Sequence, residues 1–349
     1  MLTIQPPPIQ CPIILGNDLL NEKTLMSYVH VYSKVIYVCE ERFLHFCPAN
    51  ALIFPFKTGG DALKTRQTKE ILEDFLYENR CDKQSCLVAV GGGALLDLVG
   101  FVAATYLRGI SYISCPTTLL SMTDAAIGGK TGINHGLAKN MIGAFYHPKA
   151  ILVDHAFLQT LPLPLIVSGL SESIKHGLLG SSELFDYIEK HLDEILQKKM
   201  SKLLQLSIDV KKQVVQKDPF EQRGLRHILN LGHTVGHALE SRSQFAISHG
   251  HAVAAGLRVE GWMAHRLGLI SLGEMERVCA LLNRLYPKEE ILADLQYHEM
   301  VSDKKNRGQV PHFVALEGIG RVKRWGTDYV TAFDEKLFKK GVEDALRSY

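Results

Sequence analysis

At 349 residues the chain is long enough for two domains, and its 46% hydrophobic and 22% charged content is ordinary for a globular enzyme. A net charge of +2 provides no broad basic surface, which argues against nucleic acid or an anionic membrane as partner. Apolar runs such as Pro162–Val167 are too short to span a bilayer, "MLTIQPPPIQCPI" lacks the basic start of a signal peptide, and seven cysteines without a C-x-x-C pair fit reduced thiols and a cytoplasmic location.

The first part of the chain alternates short β-rich runs with helical patterns. Lys34–Glu40 and Ala51–Phe56 read as strands, and Asp61–Asn79 as a helix. Ser85–Val90 reads as a buried strand that leads through Gly91–Gly93 into a helical stretch ending near Leu107. Ile110–Cys115 and Ala150–Asp154 are further strands. This alternation predicts a parallel sheet with covering helices. After "LPLPL" at Leu161–Leu165 the pattern becomes helical over Ile166–Leu179, Glu183–Lys198, Leu203–Lys217, Leu225–Ser241, His251–Leu267 and Glu274–Leu285. The boundary falls near Leu161, so residues 1–160 are expected to form a nucleotide-binding α/β domain and residues 161–349 a mainly helical one. The cleft between such halves is the default ligand site.

Several stretches carry chemistry. "VAVGGGALLDLVG" is strand, glycine turn, helix, a context in which backbone amides approach a pyrophosphate. Leu96 takes the third glycine position of G-x-G-x-x-G, and a triple glycine also suits a plain turn. The glycine-rich loop Cys115–Lys149 surrounds Asp124, Lys130, Lys139 and Asn140 with apolar residues, which suggests recognition of phosphate or hydroxyl groups. Glu172, Lys175 and His176 share a helix face and form either an exposed salt bridge or a metal-binding carboxylate beside a substrate-binding cation. His233 and His237 also share a face. Thr234 stands where H-E-x-x-H needs glutamate, so a metalloprotease is rejected; a polar surface pair or a satisfied core pair remains the plain alternative. Glu172, His233 and His249 together would suit Zn²⁺ with an open position, although such a trio is cheap in a chain with 15 histidines.

Taken in order, "GGGALLD", "YLRG", "PTTLL", "DAAIGGK", "AKNMIGAF", "GLSESIK", "LRHILNLGHTVGHA", "HGHAV" and "DKK" closely resemble the motifs of the 3-dehydroquinate synthase family, from about Lys57 to Lys305. The resemblance implies a dehydroquinate-synthase-like fold, with an α/β NAD-binding domain and an α-helical domain. It implies conversion of 3-deoxy-D-arabino-heptulosonate 7-phosphate to 3-dehydroquinate and phosphate, by transient oxidation, phosphate elimination, reduction and intramolecular aldol closure. It further implies NAD, a divalent metal (Zn²⁺ or Co²⁺) and a homodimer.

Carried over by motif, the metal sits on Glu172, His233 and His249, and His237 serves the substrate. NAD contacts come from Asp61, Lys64, the run Gly93, Ala94, Leu95, Leu96 and Asp97, then Thr117, Thr118, Lys130, Lys139 and Phe157, Leu158, Gln159 and Thr160. Substrate contacts come from Asp124, Lys130, Lys139, Asn140, Lys175, Arg226, Asn230 and His237, with Lys304 or Lys305, and with Arg108 from a partner subunit. "DPFEQRGLR" is one residue longer than the family pattern, which leaves Lys211 and Lys212 as alternatives and Glu221 as a candidate acid. Asp61 replaces the more usual glutamate, Ala138 a glycine, and His251 the glutamate of HGEAV. Two helical residues rotate a side chain by about 200°, so His251 is expected to point away from a metal held by His249. The rival readings are another sugar phosphate cyclase or a glycerol or glycerol-phosphate dehydrogenase, and a non-catalytic metal-binding or regulatory homologue.

Overall fold

The computed structural model describes residues 11–300 and 310–349, apart from Thr58, Leu137, Phe245 and Glu289. The chain divides into two compact units, Met1–Leu161 and Pro162–Tyr349.

The N-terminal unit runs β1 (Ile13–Gly16), α1 (Glu22–Val29), β2 (Lys34–Glu40), β3 (Leu52–Phe56), α2 (Arg66–Glu78), β4 (Ser85–Gly91), α3 (Gly93–Thr105), β5 (Ser111–Pro116), β6 (Lys130–His135), β7 (Ala138–Phe145), β8 (Ala150–Asp154) and α4 (Ala156–Thr160). Six strands form a parallel sheet in the order β1-β8-β5-β4-β2-β3. Every residue of central β4 is buried, as a strand covered on both faces requires, and its sequence is accordingly an unbroken apolar run rather than an alternating one.

Three expectations are corrected here. The helix expected from Asp61 begins only at Arg66, because Thr65 caps it by accepting the Thr68 amide; Asp61–Leu63 is a separate 3₁₀ turn. The helix expected to reach Leu107 ends at Thr105, since Leu107 and Arg108 take positive φ. The glycine-rich segment is largely not a loop: β6 and β7 pair as an antiparallel hairpin. Gly132 faces Gly143 across it, and a Cβ on Gly143 would lie 2.0 Å from the Thr131 carbonyl oxygen. The glycines thus serve close strand approach.

The C-terminal unit contains α5 (Leu163–Gly180), α6 (Ser182–Leu196), α7 (Ser201–Lys217), α8 (His233–Arg242), α9 (His249–Arg266), α10 (Leu272–Asn283), the short strands β9 (His312–Phe313), β10 (Leu316–Gly318), β11 (Arg321–Val322) and β12 (Thr331–Ala332), and α11 (Glu335–Arg347). Ser181, Ser248, Ser271 and Asp334 cap α6, α9, α10 and α11 through side-chain oxygens. The single helix expected over Leu225–Ser241 is broken. A 3₁₀ turn spans Leu225–Asn230, Gly232 adopts a left-handed φ of 77°, and α8 starts at His233. The ribbons β9 with β12 and β10 with β11 were not anticipated; strands of two or three residues leave no readable alternation.

α8 and α9 approach backbone to backbone at Gly232 and Gly256. A Cβ on Gly256 would lie 1.9 Å from the Gly232 carbonyl oxygen. Gly256→Ala is therefore expected to cost about 3 kcal/mol through overpacking, read as a lower denaturant midpoint at unchanged slope. An unchanged midpoint would show that the helices separate freely.

Candidate functional site

In the C-terminal unit, α5 is buried along Gly169–Leu179, so its charged face is a dry one. Glu172 is 1% exposed, which excludes the simple surface salt bridge. Its Oε1 lies 3.1 Å from His249 Nε2 and 3.4 Å from His233 Nε2. These three side chains present ligand atoms within 4.8 Å of one another. The ammonium of buried Lys175, one turn along α5, contacts Glu172 Oε2.

Hydrogen bonds assign the protons. His233 Nδ1 lies 3.1 Å from the Leu231 carbonyl oxygen, which can only accept, so Nδ1 is the donor and Nε2 offers a lone pair. Burial pushes His233 down to about 3 against the pull of Glu172, with Lys175 acting in the same direction as burial. His249 is held between two carboxylates, Glu172 at Nε2 and Glu240 at Nδ1 (3.3 Å). Burial opposes its charge, but the bonds to Glu172 and Glu240 outweigh burial and raise it to about 10. Burial likewise opposes ionisation of Glu172, yet the Lys175 ammonium and the bond from the protonated His249 ring hold its carboxyl well below the usual range. The trio is therefore a carboxylate, a neutral imidazole and an imidazolium.

Other expected residues lie around or apart from this trio. The His237 ring meets the His233 ring edge-on at 5.1 Å, and His237 is exposed. Arg226 is buried, its guanidinium donating to the Pro219 carbonyl at 2.9 Å and its amide to Asp218. Asn230 is half-buried at the end of the same 3₁₀ turn. Lys211 is buried on α7 and Lys212 exposed; Glu221 takes a positive φ. His176 Nδ1 lies 2.8 Å from Ser207 Oγ, and a ring nitrogen of His176 is within 4.8 Å of a Glu172 carboxylate oxygen. His251 Nδ1 lies 2.6 Å from Ser248 Oγ and its ring stacks edge-on against Tyr286, so it stands outside the trio. Lys304 and Lys305 lie outside the described residues.

In the N-terminal unit, buried β4 delivers Gly92 as the N-cap of α3, and the amides of its first turn, from Gly93 and Ala94 onward, have no partner of their own within the helix. Leu95 and Leu96 bury their side chains, so only their backbone can serve a ligand. Asp97, one turn in, accepts from Lys64 Nζ at 2.6 Å, and the same ammonium contacts Asn140 Oδ1. Burial pushes the Asp97 carboxyl up to about 6 despite Lys64. Lys139 pairs with Asp61 at 2.9 Å. Residues expected to serve nucleotide and substrate thus form one cluster. Asp124 sits in the turn Ser121–Ala125, Thr118 Oγ1 is 2.8 Å from Ser121 Oγ, and Thr117 is buried. Lys130 and Arg108 are exposed. On α4, Gln159 and Thr160 are exposed, whereas Leu158 is buried and the Phe157 ring packs on Phe43 and Phe46. The Phe157 and Leu158 side chains belong to the core.

Comparison with known proteins follows the same division. Residues 56–167 match the family described as 3-dehydroquinate synthase N-terminal, and residues 169–306 the one described as 3-dehydroquinate synthase C-terminal. The chain belongs to the 3-dehydroquinate synthase family. A 3-dehydroquinate synthase of Neisseria meningitidis serogroup A is 36% identical over 91% of this chain and 93% of its own length. One of Nitrosospira multiformis is 42% identical over 75% of this chain and 73% of its own. The fold is also that of 2-epi-5-epi-valiolone synthase from Streptomyces hygroscopicus, solved with NAD⁺ and Zn²⁺ bound, at 23% identity, full coverage of both chains and a TM-score of 0.87. A 2-deoxy-scyllo-inosose synthase, solved with carbaglucose-6-phosphate, NAD⁺ and Co²⁺, gives 0.82 at 23% identity over 95% of this chain and 96% of its own.

The donor set of this family member fits a divalent cation: two imidazoles and a carboxylate, with a carboxylate behind one imidazole. Sequence reasoning missed that last group. Glu240 lies seven residues after His233, two turns along one helix face, which was the available signal. Because His249 holds its proton far above neutral pH, binding of Zn²⁺ at pH 7.5 should release about one proton, and progressively less as pH approaches 10. Calorimetry in buffers of differing ionisation enthalpy measures this; no proton release at pH 7.5 would contradict the assigned protonation. His249→Ala should lose most bound zinc while His251→Ala keeps it, by metal analysis after dialysis. Equal losses would make His251 a ligand.

Proposed function

We propose that this chain converts 3-deoxy-D-arabino-heptulosonate 7-phosphate to 3-dehydroquinate and phosphate in aromatic amino acid biosynthesis, using NAD and a divalent metal, Zn²⁺ or Co²⁺. The observation that carries the reading is the convergence of Glu172, His233 and His249 beside buried Lys175, in a chain of this family. The N-terminal unit binds the dinucleotide; the C-terminal unit binds metal and substrate anions.

Glu172, His233 Nε2 and His249 Nε2 would hold the metal, which when bound supplies a Lewis acid for adjacent hydroxyls. Amides at the start of α3 would hold the NAD pyrophosphate, and the paired Asp97 and Lys64 lie on and beside that helix's first turns. NAD supplies a hydride acceptor that is restored within each turnover. Lys175, Arg226 and Asn230 orient the substrate's anionic groups; Lys130, Lys139 and Asn140 are the N-terminal unit's own candidates for binding anions or hydroxyls, and Arg108 of the partner subunit is a further one. His237, one turn beyond His233 and exposed, exchanges a proton on the substrate's phosphate side. No helix among the described residues is long and apolar enough to cross a membrane; we place the enzyme in the cytoplasm.

The deciding experiment is phosphate release from the heptulosonate phosphate with NAD⁺ below the enzyme concentration and added Co²⁺ or Zn²⁺. Many turnovers per NAD⁺ without net NADH are expected; NADH accumulating in step with product would make the protein a dehydrogenase. Arg226→Ala should lower kcat/KM about 10- to 100-fold, the loss of a charged hydrogen bond, at unchanged metal content. Unaltered kinetics would remove Arg226 from the substrate clamp.

A further inference from the structure

We propose that Glu260 is a positioning residue of the metal site: its carboxylate replaces the missing cap of α8 and thereby aims His233. The inference rests on the metal reading given above.

α8 begins at His233 without a side-chain cap, because Gly232 occupies the N-cap position. Helix starts of this kind leave first-turn amides without acceptors, a cost that rises with burial. Here the acceptor comes from α9. Glu260 is fully buried and takes three amides: Thr234 at 3.0 Å and Val235 at 3.2 Å on Oε1, and Gly232 at 2.7 Å on Oε2. These amides bracket His233 on both sides. The His233 ring is tied in turn to the Leu231 carbonyl, so both its backbone and its imidazole azimuth are fixed. A carboxylate accepting amides at a helix N-terminus also gains from the helix dipole.

Glu260 belongs to the helix that opens with His249. One carboxylate therefore locks together the starts of the two helices that carry the imidazoles. The glycine contact between Gly232 and Gly256 brings α9 close enough for the Glu260 side chain to reach. None of the ligand-spacing patterns points to Glu260.

The test is Co²⁺ binding to the full chain, followed by equilibrium dialysis and by the visible absorption of the bound ion. Glu260→Gln keeps one acceptor oxygen and turns an NH₂ toward an amide donor. The Co²⁺ dissociation constant of the folded variant should rise about 10- to 100-fold, with a changed absorption band. A variant that only unfolds at lower temperature, while binding Co²⁺ with wild-type affinity and spectrum, overturns the proposal and leaves the metal site standing. A wild-type chain that binds no Co²⁺ overturns the site reading, and this inference with it. If Glu260→Gln does not fold, hydrogen exchange on the wild type decides. The Gly232, Thr234 and Val235 amides should exchange more slowly once Co²⁺ is bound; exchange insensitive to saturating Co²⁺ overturns the proposal.

Discussion

Glu172 is an ionised carboxylate held where water scarcely reaches, and the C-terminal unit is organised around making that tolerable. An isolated buried carboxylate would cost many kcal/mol or take up a proton. Here the Lys175 ammonium approaches one oxygen and the protonated His249 ring the other, with the neutral His233 ring beside them. Each partner must come from a different part of the fold. Lys175 is one turn along α5, His233 opens α8 and His249 opens α9. The packing of three helices is thus coupled to one charge. The same burial that endangers the carboxylate gives its neighbours their distinct protonation states.

Much of this arrangement was legible in the sequence. The i, i+3 spacing of Glu172 and Lys175 and the apolar residues around them place both on one helix face, and the helix is where it was expected. The buried strand, glycine turn and helix that follow Ser85 also appear, the helix stopping two residues short of Leu107, because an unbroken apolar run followed by glycines admits few other structures. Illegible parts share a physical cause: they depend on acceptors or neighbours distant in sequence. The break before α8 was hidden within helical periodicity, since a glycine alone does not say that Glu260, 28 residues later, receives the Gly232 amide. The hairpin of β6 and β7 was hidden because its glycines mark close strand approach as readily as loop. Glu240 was hidden because its partner His249 had been read only as a ligand.

The two units solve the problem of ligand charge differently. In the N-terminal unit the anion-receiving groups are backbone amides at the start of α3, and the nearby side chains pair among themselves: Lys64 with Asp97 and Asn140, Lys139 with Asp61. Such pairing keeps a lysine ordered beside a carboxylate whose pKa burial has already raised toward 6. The Lys64 ammonium is itself only 3% exposed, so its geometry is set by the core rather than by solvent.

In the C-terminal unit the balance is made by side chains against helix termini. α8 and α9 both direct their N-termini at the trio through His233 and His249, and each terminus carries roughly half a positive charge. That field disfavours a cation. Three carboxylates oppose it: Glu172 at the centre, Glu240 behind His249 and Glu260 beneath the start of α8. The buried glutamates Glu240 and Glu260, which no ligand motif contains, place acceptor oxygens beside those termini, where a cation would otherwise meet donors alone.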